Sequence, residues 1–120
     1  MKTNFTFLVA FILLFTSCKK DEKKFNVVYK VVETGSGTPI YTVRYTMPDG
    51  AIQSKGGNSQ DVWVSERIDN YKGGQYLTLS VEGSGGGNYE LLIFINGSLQ
   101  AKRLAGDGFG EQVLGVQIVN

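Results

Sequence analysis

The sequence predicts an all-β protein: a small antiparallel β-sandwich, immunoglobulin-like, of seven or eight short strands behind an N-terminal signal peptide. Three observations lead there. Sixteen glycines but only two prolines stand among many Val, Ile, Thr, Tyr and Phe, a composition that favours short strands punctuated by turns. Apolar residues alternate with polar ones in segment after segment and nowhere recur at helical spacing, which is the period of a half-buried strand. Turn residues (Gly-Gly, Pro-Asp-Gly, Asn-Gly) fall between those segments.

In chain order, residues 1–17 read as the signal peptide. Phe5 to Phe15 is an almost unbroken apolar run behind a single Lys2, well short of the roughly 20 residues that a membrane-spanning helix requires. Residues 18–24 follow as a charged tether, Lys19-Lys20-Asp21-Glu22-Lys23-Lys24 after Cys18, with no apolar side chain beyond the cysteine to bury. Residues 25–120 are the domain. Val27, Tyr29 and Val31 alternate with Val28, Lys30 and Val32, a first strand apolar on both faces, as a central or covered strand is. Ile40 to Met47 alternates Tyr41, Val43, Tyr45 and Met47 with Thr42, Arg44 and Thr46, closes on Pro48-Asp49-Gly50 and returns as Ala51 to Lys55. Asp61 to Ile68 is read as one strand, with Val62 and Val64 on one face and Trp63, Ser65 and Arg67 on the other. On this reading Trp63 either seals the edge of the sandwich or sits partly exposed. Gln75 to Glu82 sends Leu77, Leu79 and Val81 to the core. Tyr89 to Ile95 is the most apolar strand, and Asn96-Gly97 predicts a type I′ turn into Ser98 to Leu104. Gly110 to Val119 ends the chain, with Leu114, Val116 and Ile118 on one face.

The junction at Cys18 carries the first family likeness. The sole cysteine follows the apolar run and the small residues Thr16 and Ser17, and this resembles the lipobox of bacterial lipoproteins, with Phe15 where those usually have Leu, a relaxed form commonest in the Bacteroidota. The resemblance implies cleavage before Cys18 and acylation of its thiol, hence membrane attachment through lipid; each buried methylene contributes about 0.8 kcal/mol to such an anchor. Lys20-Asp21-Glu22 admits two readings. It is similar to the export signal that sends Bacteroidota lipoproteins to the outer face of the outer membrane, and it is equally a plain charged spacer.

A second likeness spans most of the domain. Val27-x-Tyr29-x-Val31, Val43-x-Tyr45 with Asp49-Gly50, Trp63, Gly74-x-x-Leu77-x-Leu79 and Ile93-x-Ile95-Asn96-Gly97 together resemble the MmpS family of small mycobacterial membrane proteins and related lipoproteins. What this implies is an exported β-sandwich acting as a non-enzymatic accessory to a larger envelope complex or transporter. The chain departs from the mycobacterial members in lacking their additional cysteines and in having a lipobox in place of a transmembrane helix.

Composition narrows the function classes. From Phe25 onward seven Lys and Arg face nine Asp and Glu, a net charge of −2, which does not suit nucleic acid. There is no histidine, and lipidation would consume the one thiol; the usual general base and the commonest soft metal ligands are missing. Lys55 near Ser54 and Ser59 is the only suggestion of a Ser-Lys pair and has no supporting motif. Gly83-Ser84-Gly85-Gly86-Gly87 lacks the Gly-Lys-Ser/Thr of a phosphate loop. Asp107 and Glu111 fall short of a calcium-loop spacing. No cofactor and no metal are therefore expected. The expected function is a non-enzymatic envelope lipoprotein that binds a protein partner, through an edge strand or through Tyr41, Tyr45, Trp63 and Tyr76. The alternatives are a carrier of a small molecule or glycan stacked on those aromatics, and, less favoured, a small hydrolase using Asp61, Glu66 and Asp69.

Overall fold

The computed structural model describes residues 23–34, 40–57, 61–83, 88–105 and 111–119. Cys18 and Lys20-Asp21-Glu22, on which the anchor and export expectations rest, lie outside the described residues, as does Asp107. The described chain is all-β: two antiparallel sheets face one another as a sandwich. One sheet has the order β4-β1-β7-β8, with β5 also pairing β1; the other has the order β3-β2-β6-β9. The strands are β1 (Lys24–Glu33), β2 (Ile40–Thr46), β3 (Ile52–Gly56), β4 (Val62–Val64), β5 (Ile68–Lys72), β6 (Tyr76–Gly83), β7 (Tyr89–Ile95), β8 (Ser98–Ala105) and β9 (Gln112–Gln117).

The described residues form nine strands where spacing predicted seven or eight, because Asp61 to Ile68 is not one strand. At its middle Ser65 takes over the ladder: its N–H donates to the Tyr29 carbonyl at 2.9 Å, and the Tyr29 N–H donates to Ser65 Oγ, also at 2.9 Å. Between the pairs Lys30–Val64 and Val27–Ile68, three steps along β1 match four on the other side. The extra residue is a bulge, and a bulge reverses which side the following residues face. Trp63 and Ile68 therefore both turn inward. A second slip, between Val27–Ile68 and Phe25–Tyr71, coincides with Asn70 at φ 75°, a residue type that tolerates the left-handed region. Lys24, read as tether, belongs to β1 and pairs Lys72, while the Lys23 ammonium lies 5.6 Å from the centre of the Phe25 ring.

The turns predicted at Pro48-Asp49-Gly50 and Asn96-Gly97 form. Asn96 and Gly97 both have positive φ (51° and 80°), as a type I′ hairpin requires. At Pro48-Asp49-Gly50 the Gly50 N–H donates to the Met47 carbonyl, the Met47 N–H donates to Ala51, and Gly50 has φ 89°; this is a type I turn closed by a left-handed residue, and Asp49 Oδ1 accepts from the Ala51 N–H.

Alternation fills the core. Val27, Tyr29 and Val31 from β1, Leu77, Leu79 and Val81 from β6, and Leu91 and Ile93 from β7 are fully or almost fully buried. One polar node joins the sheets. The hydroxyls of Tyr29 (β1) and Tyr71 (β5) both donate to the Thr46 carbonyl of β2, at 2.7 and 2.6 Å. A carbonyl oxygen has two lone pairs, so the two phenols fit one acceptor. Burial, with a smaller contribution from the adjoining Tyr71 phenol, drives the Tyr29 phenol far above its usual pKa; burial raises Tyr71 as well. At one side of the sandwich Arg103 of β8 donates to the Val113 carbonyl of β9 and ties the sheets together. At the other side, where β3 and β4 are the edge strands, the sheets part.

Candidate functional site

That open side carries the site. β3 and β4 are short, five and three residues, and between them lies a groove of about 320 Å³ lined by Tyr45, Lys55, Gly56, Trp63, Ser65 and Glu66, with Val64 at its rim. Tyr45 and Trp63 supply its aromatic lining, and Tyr29 packs behind Tyr45. Tyr29 and Tyr45 have centroids 5.0 Å apart and planes tilted by 35°, and Tyr45 and Trp63 are 5.5 Å apart at 42°, within the range of favourable tilted pairs. Tyr29 and Tyr45 are buried, whereas Trp63 packs against the core and remains partly exposed. Both alternatives left open for Trp63 thus hold together: its inner edge seals the sandwich and its outer surface faces the groove.

The polar groups of the groove differ in availability. Ser65 Oγ accepts from the Tyr29 N–H and donates to the Glu66 carbonyl at 2.8 Å, so this hydroxyl serves the bulge and holds the strand beneath Trp63. Lys55 and Glu66 are exposed, one on each lip. Burial raises the Tyr45 phenol above its usual pKa, and the Glu66 carboxylate adds to the shift. An aromatic face, that of Trp63, set between an ammonium and a carboxylate is suited to holding a ring-shaped polar ligand or an inserted side chain.

The four aromatics singled out in the sequence do not form one surface. Tyr45 and Trp63 meet. Tyr41 does not join them, because the ladder slips between Ile40 and Thr42: Ile40 and Val43 turn inward and Tyr41, between them, is 51% exposed. The bulge depends on Gly57, whose N–H donates to the Tyr41 carbonyl at 2.7 Å and whose Cα lies so close to the Ile40 carbonyl that a Cβ would collide with it. Tyr76 is 60% exposed at the other end of the same sheet, lying across Gly115. Lys55 and Glu66 are the lining residues that period-2 reading does not bring together, since they sit on different sheets and only the bulge at Ser65 and the gap between edge strands make them neighbours of one groove.

The remaining candidates are scattered. Asp69 pairs Arg67 at 3.3 Å, the Asp61 carbonyl accepts from the Glu33 N–H, and Glu66 lines the groove. Glu111 pairs Arg44 at 2.7 Å, beside Glu82 at 3.3 Å. Among the described residues no group of three or more His, Cys, Asp or Glu is placed to hold a metal ion. Compared with protein-family models and with curated proteins, the chain matches none.

Proposed function

We propose that this chain is a non-enzymatic lipoprotein of the cell envelope, held on the outer membrane by acylated Cys18, whose sandwich is a binding module acting through the groove at Trp63. The observation that supports it is the partly exposed Trp63 ring, packed on Tyr45, which in turn packs on Tyr29, and flanked by Lys55 and Glu66. A ring held by tilted aromatic neighbours in this way gives a rigid contact surface that loses little conformational freedom on binding. The favoured occupant is an exposed segment of an envelope protein complex or transporter. A second occupant, a glycan ring, is favoured by size, since about 320 Å³ is at the small-molecule end of the range for binding pockets.

The chain has a single tryptophan, so tryptophan emission, excited selectively over that of the tyrosines, reports on this site alone. A pull-down of the intact protein from its own envelope, beside the Trp63→Ala form, tests the protein occupant; a saturable emission change on titration with envelope oligosaccharides tests the glycan. Loss of the captured partner or of the titration in Trp63→Ala is expected. Equal capture by both forms with no emission change refutes the groove. The anchor is tested separately: Cys18→Ser should leave the detergent phase on phase partitioning, and retention there refutes lipidation.

A further inference from the structure

The sandwich has open edges at β3 and β9 in one sheet and at β4, β5 and β8 in the other. Short strands, charged residues and bulges are the usual means by which such edges avoid pairing with foreign strands, and four of the five use them. β4 has three residues and β3 five, among them Lys55; β5 bears Asp69 and Lys72 and is bent at Asn70; β8 bears Lys102 and Arg103 and slips register against β7. β9 uses none. Its six residues, Gln112–Gln117, include no charge and no proline, and its register with β6 runs without a slip.

The backbone of β9 is open on its outer side. The Ile118 N–H donates to the Gln75 carbonyl at 2.9 Å and the Ile118 carbonyl accepts from the Gly74 N–H at 2.8 Å, so Leu114 and Val116, in phase with Ile118, bond toward β6, while Val113, Gly115 and Gln117 point their N–H and C=O groups the other way. Thr78, opposite Gly115, agrees with this phase: its N–H turns away from β9 and donates to Thr46 Oγ1 at 3.0 Å. The Val113 carbonyl accepts from Arg103. The outward N–H and C=O groups of Gly115 and Gln117 have no backbone partner among the described residues. Beside them, between β8 and β9, lies a cleft of about 240 Å³ with buried Phe25, Ile95 and Ile118 beneath and Asn96, Ser98 and Gln100 at its rim; no charged side chain lines it.

We propose that β9 takes up an extended segment of another protein as an added strand, with one uncharged side chain of that segment seated in the cleft. Two donors and two acceptors at strand spacing match another extended backbone, which in this mode supplies affinity while side-chain pockets supply selectivity. Residues opposed across paired strands share a face. A residue set against Ile118 therefore turns inward to the cleft, and one set against Gly115 turns outward, beside the exposed Tyr76 ring that lies across this glycine. The inward place suits an apolar or carboxamide side chain, because a charge there would be buried without a partner. This site lies on the side of the sandwich away from the Trp63 groove and does not depend on it.

Panning a displayed library of random short peptides against the full chain, followed by amide hydrogen exchange read by NMR, tests the proposal. Enriched peptides should alternate with a period of two and carry neutral side chains at the inward places. In the free chain the Gly115 and Gln117 amides should exchange fast and those of Leu114 and Val116 slowly, and the selected peptide should slow the first two. Gln117→Pro removes one outward N–H without removing a bond to β6 and should weaken the peptide at least about fivefold, the scale of one backbone hydrogen bond; Gln117→Ala, which keeps that N–H, should bind like the unchanged chain. Ser98→Phe, which fills the cleft, should weaken binding with Trp63 emission, and hence the fold, unchanged. Trp63→Ala should bind fully, and loss of the peptide there assigns it to the groove and overturns the proposal. So does any of these results: no enriched peptide, peptides without alternation, undiminished binding by Gln117→Pro, or protection of Gly115 and Gln117 in the free chain that rises with its concentration, which would mean that a second copy covers the edge.

Discussion

Removing the two phenol hydroxyls that meet at the Thr46 carbonyl gives a sharp test of how the sheets are held together. In Tyr29→Phe the ring stays in place and the carbonyl keeps the Tyr71 donor at 2.6 Å; in Tyr71→Phe it keeps Tyr29 at 2.7 Å. Each single change therefore removes one hydrogen bond from an acceptor that remains satisfied, a loss of about 1 kcal/mol. The double change strips this buried acceptor of both phenol donors, which adds the desolvation cost of an unmet group, about 1 to 3 kcal/mol. The double variant should then be destabilised by about 3 to 5 kcal/mol, against about 2 from adding the singles. Against a stability of roughly 5 to 10 kcal/mol for a domain of this size, that deficit is measurable by urea unfolding of the four proteins followed through Trp63 emission. The slope of the transition should not change, since the folded surface is the same. Additivity within 0.5 kcal/mol refutes the shared-acceptor reasoning, because independent bonds show no coupling.

The same node predicts the response to alkali. The folded pKa values of Tyr29 and Tyr71 lie above the ordinary value of 10.0, chiefly through burial, so the unfolded chain releases these protons first. Their contribution is complete below pH 10 and is lost as pH rises beyond it, at about 1.4 kcal/mol per pH unit for each tyrosine. With the exposed Tyr41 and Tyr76 replaced by Phe, circular dichroism and phenolate absorbance should change together in one step above about pH 11, and a gradual phenolate rise with the fold intact would refute the linkage. At the β7–β8 turn, Gly97→Val should cost about 1 to 2 kcal/mol from positive φ alone, since a Cβ there meets nothing within 4 Å; a thermal melt with no shift would mean that the turn has another form. Gly57→Ala should cost up to about 3 kcal/mol despite its smaller size, because its Cβ collides with backbone, and Tyr41 should lose its orientation with it. A neutral Gly57→Ala would refute the role given to this bulge.

How far the fold could be read from the residues depends on where the period of two holds. In β6, β7 and β9 it holds throughout: Leu77, Leu79 and Val81, then Leu91, Ile93 and Ile95, then Leu114 all reach the core, and Asn96-Gly97 turns as its φ tolerance dictates. It fails at Tyr41, Ser65 and Asn70, and again on β8 between Leu99 and Ala101, and each failure is a bulge. A bulge adds one residue to one strand, and nothing in composition marks it, because what stabilises it is a partner far along the chain: Gly57 for Tyr41, the Tyr29 backbone for Ser65. The aromatic surface expected from Tyr41, Tyr45, Trp63 and Tyr76 dissolved for that reason. With Tyr41 in phase with Val43 and Tyr45, all three would have shared a face; the slip between Ile40 and Thr42 sends Tyr41 out and leaves Tyr45 to carry Trp63.

The bulges also explain why the groove exists. An unbroken strand from Asp61 to Ile68 would carry Trp63 and Ser65 along one face at equal depth and extend the sheet past β3. Instead Ser65 spends its hydroxyl and its N–H on Tyr29, the chain restarts as β5, and β4 ends after three residues. The edge is thereby shortened, a common way for sheets to avoid pairing with other edges, and the ring it leaves behind is held by stacking instead of by cover. The residue that makes Trp63 available is thus Ser65. Replacing it with Ala removes the bond from the Tyr29 N–H while leaving every ring atom of the groove in place, so any loss of binding at Trp63 in that variant measures how far the site depends on the bulge that frames it.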